Sequence, residues 1–430
     1  MKKGADDGHK QPQGKDIIVI AERGLGPASP FEFEQERREV LKELFQPIFT
    51  FCNYTGGHLP RRDVNPVCFY FRLTVLITVT VLASYQVGYL FIYVVRSAEY
   101  NATTASTLVL LNWDFQALLS VYFLIYWRRK NYLTNIFKLI HIPSGSIGCQ
   151  KTKRCIRIVF WVFITITGTV QVLFIAQMTT MLIEGQPTLL LDMRALNAYG
   201  SRNSIFLGLA VSSYTFIFWS VAMLIYMSTT IAVYGELRYF NEKLKKLGED
   251  SDRTKDIGDE LLYFYRTHCR LSDVVRALDN TFEVYTFAMI GSNIPTTIFS
   301  LLALFVSLKV SWMNIAFAVP SVVCCSLSLI GLTAIPARVH SAISEVEKIV
   351  YSNKAIWIPY VEKNYQIANV FISHVNQTNL GISVWGFAVV TKPLILTTIS
   401  LTITYLSFFL QMRSSCDGSS CKAANVTQLA

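Results

Sequence analysis

Asp114 is the residue that most demands a chemical explanation. It stands in Leu111-Asn112-Trp113-Asp114-Phe115, inside a stretch otherwise apolar enough to sit in hydrocarbon. An ionisable side chain there is costly and must pair or face water. A carboxylate accepts hydroxyl hydrogen bonds while an indole stacks on an apolar face, so Trp113 and Asp114 suit a sugar- or polyol-sized ligand. Gln177, Ser212, Tyr214, Asn293, Thr297 and Trp312, in other apolar stretches, are the candidate co-lining groups. The competing structural readings are a salt bridge or interhelical hydrogen bond for Asp114, and helix-to-helix contacts for the others.

A second polar group stands at the end of the last apolar stretch, Thr404-Tyr405-Leu406-Ser407-Phe408-Phe409-Leu410-Gln411-Met412. A buried amide without a partner costs about 2 to 7 kcal/mol, so Gln411 should face protein or water, or fray into the interface. On a helix, Leu401, Thr404 or Tyr405, Phe408, and Gln411 or Met412 share one face. That stripe either lines a path or packs against neighbouring spans. Lys392-Pro393 reads as the opening of the membrane-crossing part, with proline in the first turn and lysine snorkelling to water. Pro295 and Pro320 interrupt two other apolar stretches, as static kinks or as ligand-responsive bends.

The sequence contains no catalytic constellation. Its six histidines are scattered, and no H-E-x-x-H, G-x-S-x-G or phosphate-cradling glycine loop is present, so neither an enzyme, a metal site nor a cofactor is expected. Of nine cysteines, Cys52, Cys149, Cys155 and Cys269 fall on the predicted cytosolic side, and Cys68, Cys324 and Cys325 in or near spans. Cys416 and Cys421 reach the oxidising side, as a disulfide or as two free thiols.

The elements that must carry these residues are membrane spans. A chain of 430 residues that is 52% hydrophobic and 16% charged, with a mean hydropathy of +0.37, is too apolar for a soluble domain. Apolar stretches lie near 67–95, 106–127, 158–183, 204–234, 281–308, 313–337 and 384–412. Each can cross about 30 Å of hydrocarbon at about 1.5 Å per residue. The expected fold is all-α, with seven transmembrane helices. Residues 1–45 are mostly polar, so an uncleaved start is expected.

Lys and Arg concentrate before the first span and in alternate loops, including Arg128-Arg129-Lys130 and Lys151, Lys153, Arg154 and Arg157. Cytoplasmic loops carry that excess, which predicts an N-terminus inside and a C-terminus outside. This is opposite to a G-protein-coupled receptor. Asn101-Ala102-Thr103 and Asn425-Val426-Thr427 then fall outside as glycan acceptors. The net charge of +10 follows from this spread and implies contact with anionic lipid rather than nucleic acid.

Along the chain, 1–66 reads as a cytoplasmic segment, with 1–30 disordered and 31–51 an amphipathic helix along the inner surface that Pro47 should kink or end. Residues 67–235 hold spans one to four, 236–280 cytoplasmic helical extensions, and 281–337 spans five and six. Residues 338–383 form a further cytoplasmic segment, 384–412 the last span and 413–430 an outer tail. Leu271, Val274, Val275, Leu278 and Phe282 form an apolar stripe at helical spacing. Its expected partners are Val339, Ile343, Val346 and Val350, plus Ile367, Val370 and Phe371, giving a cytoplasmic bundle.

Thr404-Tyr405, followed by mostly apolar residues and then Gln411-Met412, resembles the C-terminal signature of the invertebrate gustatory receptor family. Gly386 in Val384-Trp385-Gly386-Phe387 and Lys392 extend the likeness upstream, which residues 384–430 carry. Met412 stands where phenylalanine is usual, and Ser407 interrupts the apolar run. The resemblance implies a ligand-gated, non-selective cation channel of a chemosensory cell's plasma membrane. It further implies a homotetramer or a heteromer with related receptors, with a cytoplasmic anchor bundle and a pore lined by the last helix. Leu401, Thr404, Tyr405, Phe408, Gln411 and Met412 would then line the pore, Phe408 and Met412 forming the apolar constriction. Leu406 stands where multi-sugar receptors tend to carry glutamate, which disfavours that subgroup. Light- or peroxide-responsive members of the family are the alternative, and a G-protein-coupled receptor or secondary transporter the rivals outside it.

Overall fold

The computed structural model describes residues 30–55, 66–97, 102–143, 146–184, 198–200, 205–248, 257–307, 312–377 and 379–427. The expectations for residues 1–29 and Asn101, and for the side chains of Cys68, Trp312, Met412, Cys416, Cys421 and Asn425, lie outside the described residues.

Long helices dominate because long apolar stretches free of backbone donors to water must satisfy their own hydrogen bonds. They are α1 (Pro30–Thr55), α2 (Pro66–Arg96), α3 (Ala102–Arg129), α4 (Tyr132–Leu139) and α5 (Ile147–Glu184). There follow α6 (Ile205–Lys245), α7 (Ile257–Ser307), α8 (Trp312–Ser352), α9 (Lys354–Trp357) and α10 (Glu362–Gln377). A hairpin of β1 (Ser383–Val384) and β2 (Ala388–Val389) then leads into α11 (Lys392–Thr427). Among the described residues, six helices are long and apolar enough to cross a membrane: α2, α3, α5, α6, α7 and α8. The fold is that of an all-α membrane protein, and α11 carries the seventh apolar stretch.

The central helix is α6, packed against α2, α3, α5, α7 and α8. Its middle is buried almost all round, from Phe216 and Trp219 through Val233 and Leu237, as expected of a helix that is apolar on every face. Trp127 of α3 anchors the centre, donating from Nε1 to the Thr281 carbonyl at 3.0 Å and meeting Phe282 edge-on at 5.0 Å. Tyr226 meets the same Phe282 at 5.2 Å and donates to the Leu332 carbonyl at 3.2 Å. One aromatic knot thus joins α3, α6, α7 and α8.

Beyond the apolar stretches, α6, α7 and α8 continue as a bundle with α10. Leu271, Val274, Val275, Leu278, Phe282, Val339, Val346, Val350 and Phe371 are fully buried there. Val370 is instead 54% exposed, because it sits one residue round the helix from Phe371. Buried Glu236 accepts from Arg270 Nη2 at 2.7 Å and from the His141 backbone at 3.2 Å. Arg270 Nη1 also donates to the Leu139 carbonyl at 3.1 Å, fastening α4 to this bundle.

Three expectations are corrected, and of the two readings of Pro47 the helix end is excluded, since the first helix runs through it to Thr55. Most of its apolar face is covered by protein: Leu44, Phe45, Ile48 and Cys52 are buried where α1 meets α5 and α6, while Phe49 stays exposed. Residues 384–391 do not belong to the last helix, because Ser383 pairs with Val389 and Val384 with Ala388 across a turn. Trp385 at φ 50° and Gly386 at φ 72° supply that turn's left-handed backbone. Finally, the helical backbone continues past 412 to Thr427, a stretch that contains no proline to stop it.

Candidate functional site

Five helices line a half-open cavity of ≈ 140 Å³ in the half of the molecule away from the α10 bundle. Ser106, Leu110, Trp113, Asp114 and Ala117 come from α3, and Val170, Gln171, Phe174 and Gln177 from α5. Ser212 and Phe216 come from α6, Ser300 and Ala303 from α7, and Ala318 and Ser321 from α8. These positions recur at three- and four-residue spacing, so each helix presents one face to the space.

Asp114 is buried at 8% exposure, and its neighbours are neutral. Gln86 of α2 donates from Nε2 to Asp114 Oδ2 at 2.9 Å and to Ser212 Oγ at 2.8 Å. The Tyr199 hydroxyl approaches Gln86 Oε1 at 3.4 Å. Among the described residues, no ion pair includes Asp114, so the salt-bridge reading gives way to an interhelical hydrogen-bond network. The Trp113 indole lies stacked on Phe216, centroids 5.4 Å apart and planes 6° apart. Phe216 in turn stacks on Trp219 at 4.9 Å.

Of the sequence-derived candidates, the fold brings together Trp113, Asp114, Gln177 and Ser212. Tyr214 is left out because two residues from Ser212 is a turn of about 200°; it packs edge-on against Phe218 at 5.1 Å. Asn293 lines a smaller separate space beside Trp113, Gln116 and Cys325, and donates to the Cys325 carbonyl at 3.3 Å. Thr297 returns its hydroxyl to the Asn293 carbonyl at 2.8 Å. Sequence reasoning missed Gln86, Gln171 and Phe174. The two glutamines carry the same signal as Gln177, a polar residue inside an apolar run, whereas Phe174 carries none.

The last helix has three faces. Leu394, Thr398, Thr402, Leu406 and Leu410, four residues apart, are buried or half-buried where α11 meets α7 and α8. Leu401, Thr404, Tyr405, Phe408 and Gln411 lie on another face, all exposed in the single chain. Leu396, Ile399 and Ile403 occupy the third, also exposed. The hairpin before α11 is clasped to α7: Asp279 Oδ1 accepts from the Ser383 backbone at 2.6 Å and from its hydroxyl at 2.9 Å.

Residues 45–415 match the family model described as 7tm Chemosensory receptor. The chain belongs to that family. Two solved structures share the receptor's fold. The insect olfactory receptor OR5 from Machilis hrabei superposes with a TM-score of 0.69 at 12% identity, covering 88% of this chain and 100% of that one. The same protein in complex with eugenol gives 0.67 at 12% identity, covering 89% and 100%. No curated protein matches the receptor by sequence.

Proposed function

We propose that this receptor is a ligand-gated, non-selective cation channel of the gustatory type, built from four subunits around α11 in the plasma membrane of a chemosensory cell. The observation that carries the proposal is the exposed stripe Leu401, Thr404, Tyr405, Phe408 and Gln411 on a helix that another face anchors against α7 and α8. Copies of one such helix around an axis form a conduit, which an apolar ring closes by dewetting. The cavity at Asp114 is the ligand site, as befits a fold shared with a receptor solved with eugenol. Helices α7 and α8 line that cavity and also contact α11, so a ligand that repacks their outer ends acts on the conduit without a longer relay.

The test is whole-cell current from expressed receptor under a panel of tastants, peroxide and ultraviolet light. Phe408→Ala should raise the stimulus-free open-to-closed ratio about tenfold, as ~1.4 kcal/mol on that equilibrium does. Gln411→Ala should change the amplitude of the evoked current. Surface-expressed receptor that passes no current under any stimulus, with or without Phe408→Ala, would refute the channel reading.

A further inference from the structure

The ligand's charge is written into the cavity. Asp114 is more than nine-tenths buried and faces a space whose walls are mainly Val109, Leu110, Phe174, Phe216 and alanines. A carboxylate in such surroundings is destabilised unless a charge or several donors meet it. Its neighbours supply only neutral donors, since both hydrogens of the Gln86 amide are spent on Asp114 and Ser212. Among the described residues no lysine, arginine or histidine pairs with it.

The same inventory argues against a polyol. A polyol needs many open partners, and part of the polar lining is engaged: Gln171 donates to Ser213 at 2.6 Å, Ser212 accepts from Gln86 at 2.8 Å, and Ser300 meets the Cys325 thiol at 3.8 Å. The Trp113 face that would stack on a sugar ring is covered by Phe216. What remains is one acid, with the Gln177 amide and the Ser321 hydroxyl, at the edge of a mainly apolar space of ≈ 140 Å³. An engineered cavity of about 150 Å³ is known to hold benzene, so the occupant is about one ring with a short arm.

We propose that the cavity selects a compact protonated amine, whose ammonium group pairs with Asp114 while its apolar body fills the space between Phe174 and Phe216. The ammonium completes the carboxylate's charge balance. This rests on reading the cavity as the ligand site and names the class of ligand it takes.

The experiment is direct binding to purified receptor in lipid nanodiscs by calorimetry, with benzylamine and its isostere benzyl alcohol as probes. Benzylamine should bind at least about tenfold more tightly at neutral pH, and the preference should fade as the pH approaches the amine's own pKa. Asp114→Asn should abolish the preference while leaving benzyl alcohol binding in place. The pH series on unaltered receptor decides the matter even where that variant does not fold. Equal or tighter binding of the alcohol, or no binding of either probe, would overturn the proposal. Binding without current would refute the channel and leave the amine site standing, whereas current evoked by neutral compounds and never by amines would do the reverse.

Discussion

A methyl group at Gly235 would stand 2.2 Å from Thr152 Oγ1 and 2.9 Å from its Cγ2. Helices α5 and α6 therefore approach as closely as a hydrogen permits, next to the bundle that Glu236 fastens. Gly235→Ala should cost roughly 1 to 3 kcal/mol through overpacking, despite alanine's better helix propensity. Adding Thr152→Ala should restore most of it. At Gly331 the near atom is Met227 Sδ at 2.6 Å, the end of a flexible side chain that moves aside. Thermal unfolding of the variants checks this, and equal losses at Gly235 and Gly331 would contradict it. Neither contact was legible in the sequence, where both glycines sit in ordinary apolar runs. Asp114 was legible because a charge in such a run has few explanations. Its partner Gln86 is brought from another helix, and no local pattern announces that pairing.

Among the elements, the junction between α4 and α5 carries a pH dependence. Burial, reinforced by the positive charge of Arg270, pushes the His141 imidazole down to about 4, with Arg37 acting the same way and Glu36 against it. The unfolded chain binds its proton near the ordinary 6.5, whereas the folded chain does not until about 4. Acidification through that window therefore favours unfolding, and stability returns as the pH rises above it. The melting temperature of purified receptor should fall between pH 6.5 and 4, and the fall should be shallower in His141→Gln. Identical pH profiles would rule out this histidine as the cause. Arg270→Ala should be more damaging, by about 3 to 5 kcal/mol, because it leaves Glu236 buried and uncompensated. Periodicity had marked the stripe on α7 and its partners on α8, since one apolar face on a charged helix needs a cover. It could not show that α1 also packs on protein. It could not show the hairpin at 383–389 either, whose short apolar run reads equally as helix.

At the scale of the molecule, the alternation of basic loops makes a statement that helix packing does not. Arg128 and Arg129 close α3 and Lys130 follows it, while Lys151, Lys153 and Arg154 lie in the opening turns of α5, so these two helix ends share a side, which we propose faces the cytosol on the bias in positive charge. The long extensions of α6, α7 and α8 lie at that same end, since α4, between α3 and α5, packs on α7. On that orientation the amine-sized cavity lies in the outer half, on the side from which a ligand outside the cell arrives. An N-terminal epitope tag on intact cells should be inaccessible to antibody and become accessible after permeabilisation. Asn101→Gln should remove a glycan and speed migration on a gel, because on that orientation Asn101, next to the first residue of α3 in the sequence, falls outside. Staining of intact cells would reverse the orientation and place Asp114 on the cytosolic half. The ligand would then have to be an intracellular amine, and the exposed stripe on α11 would present Gln411 to the inner mouth of the conduit instead of the outer one.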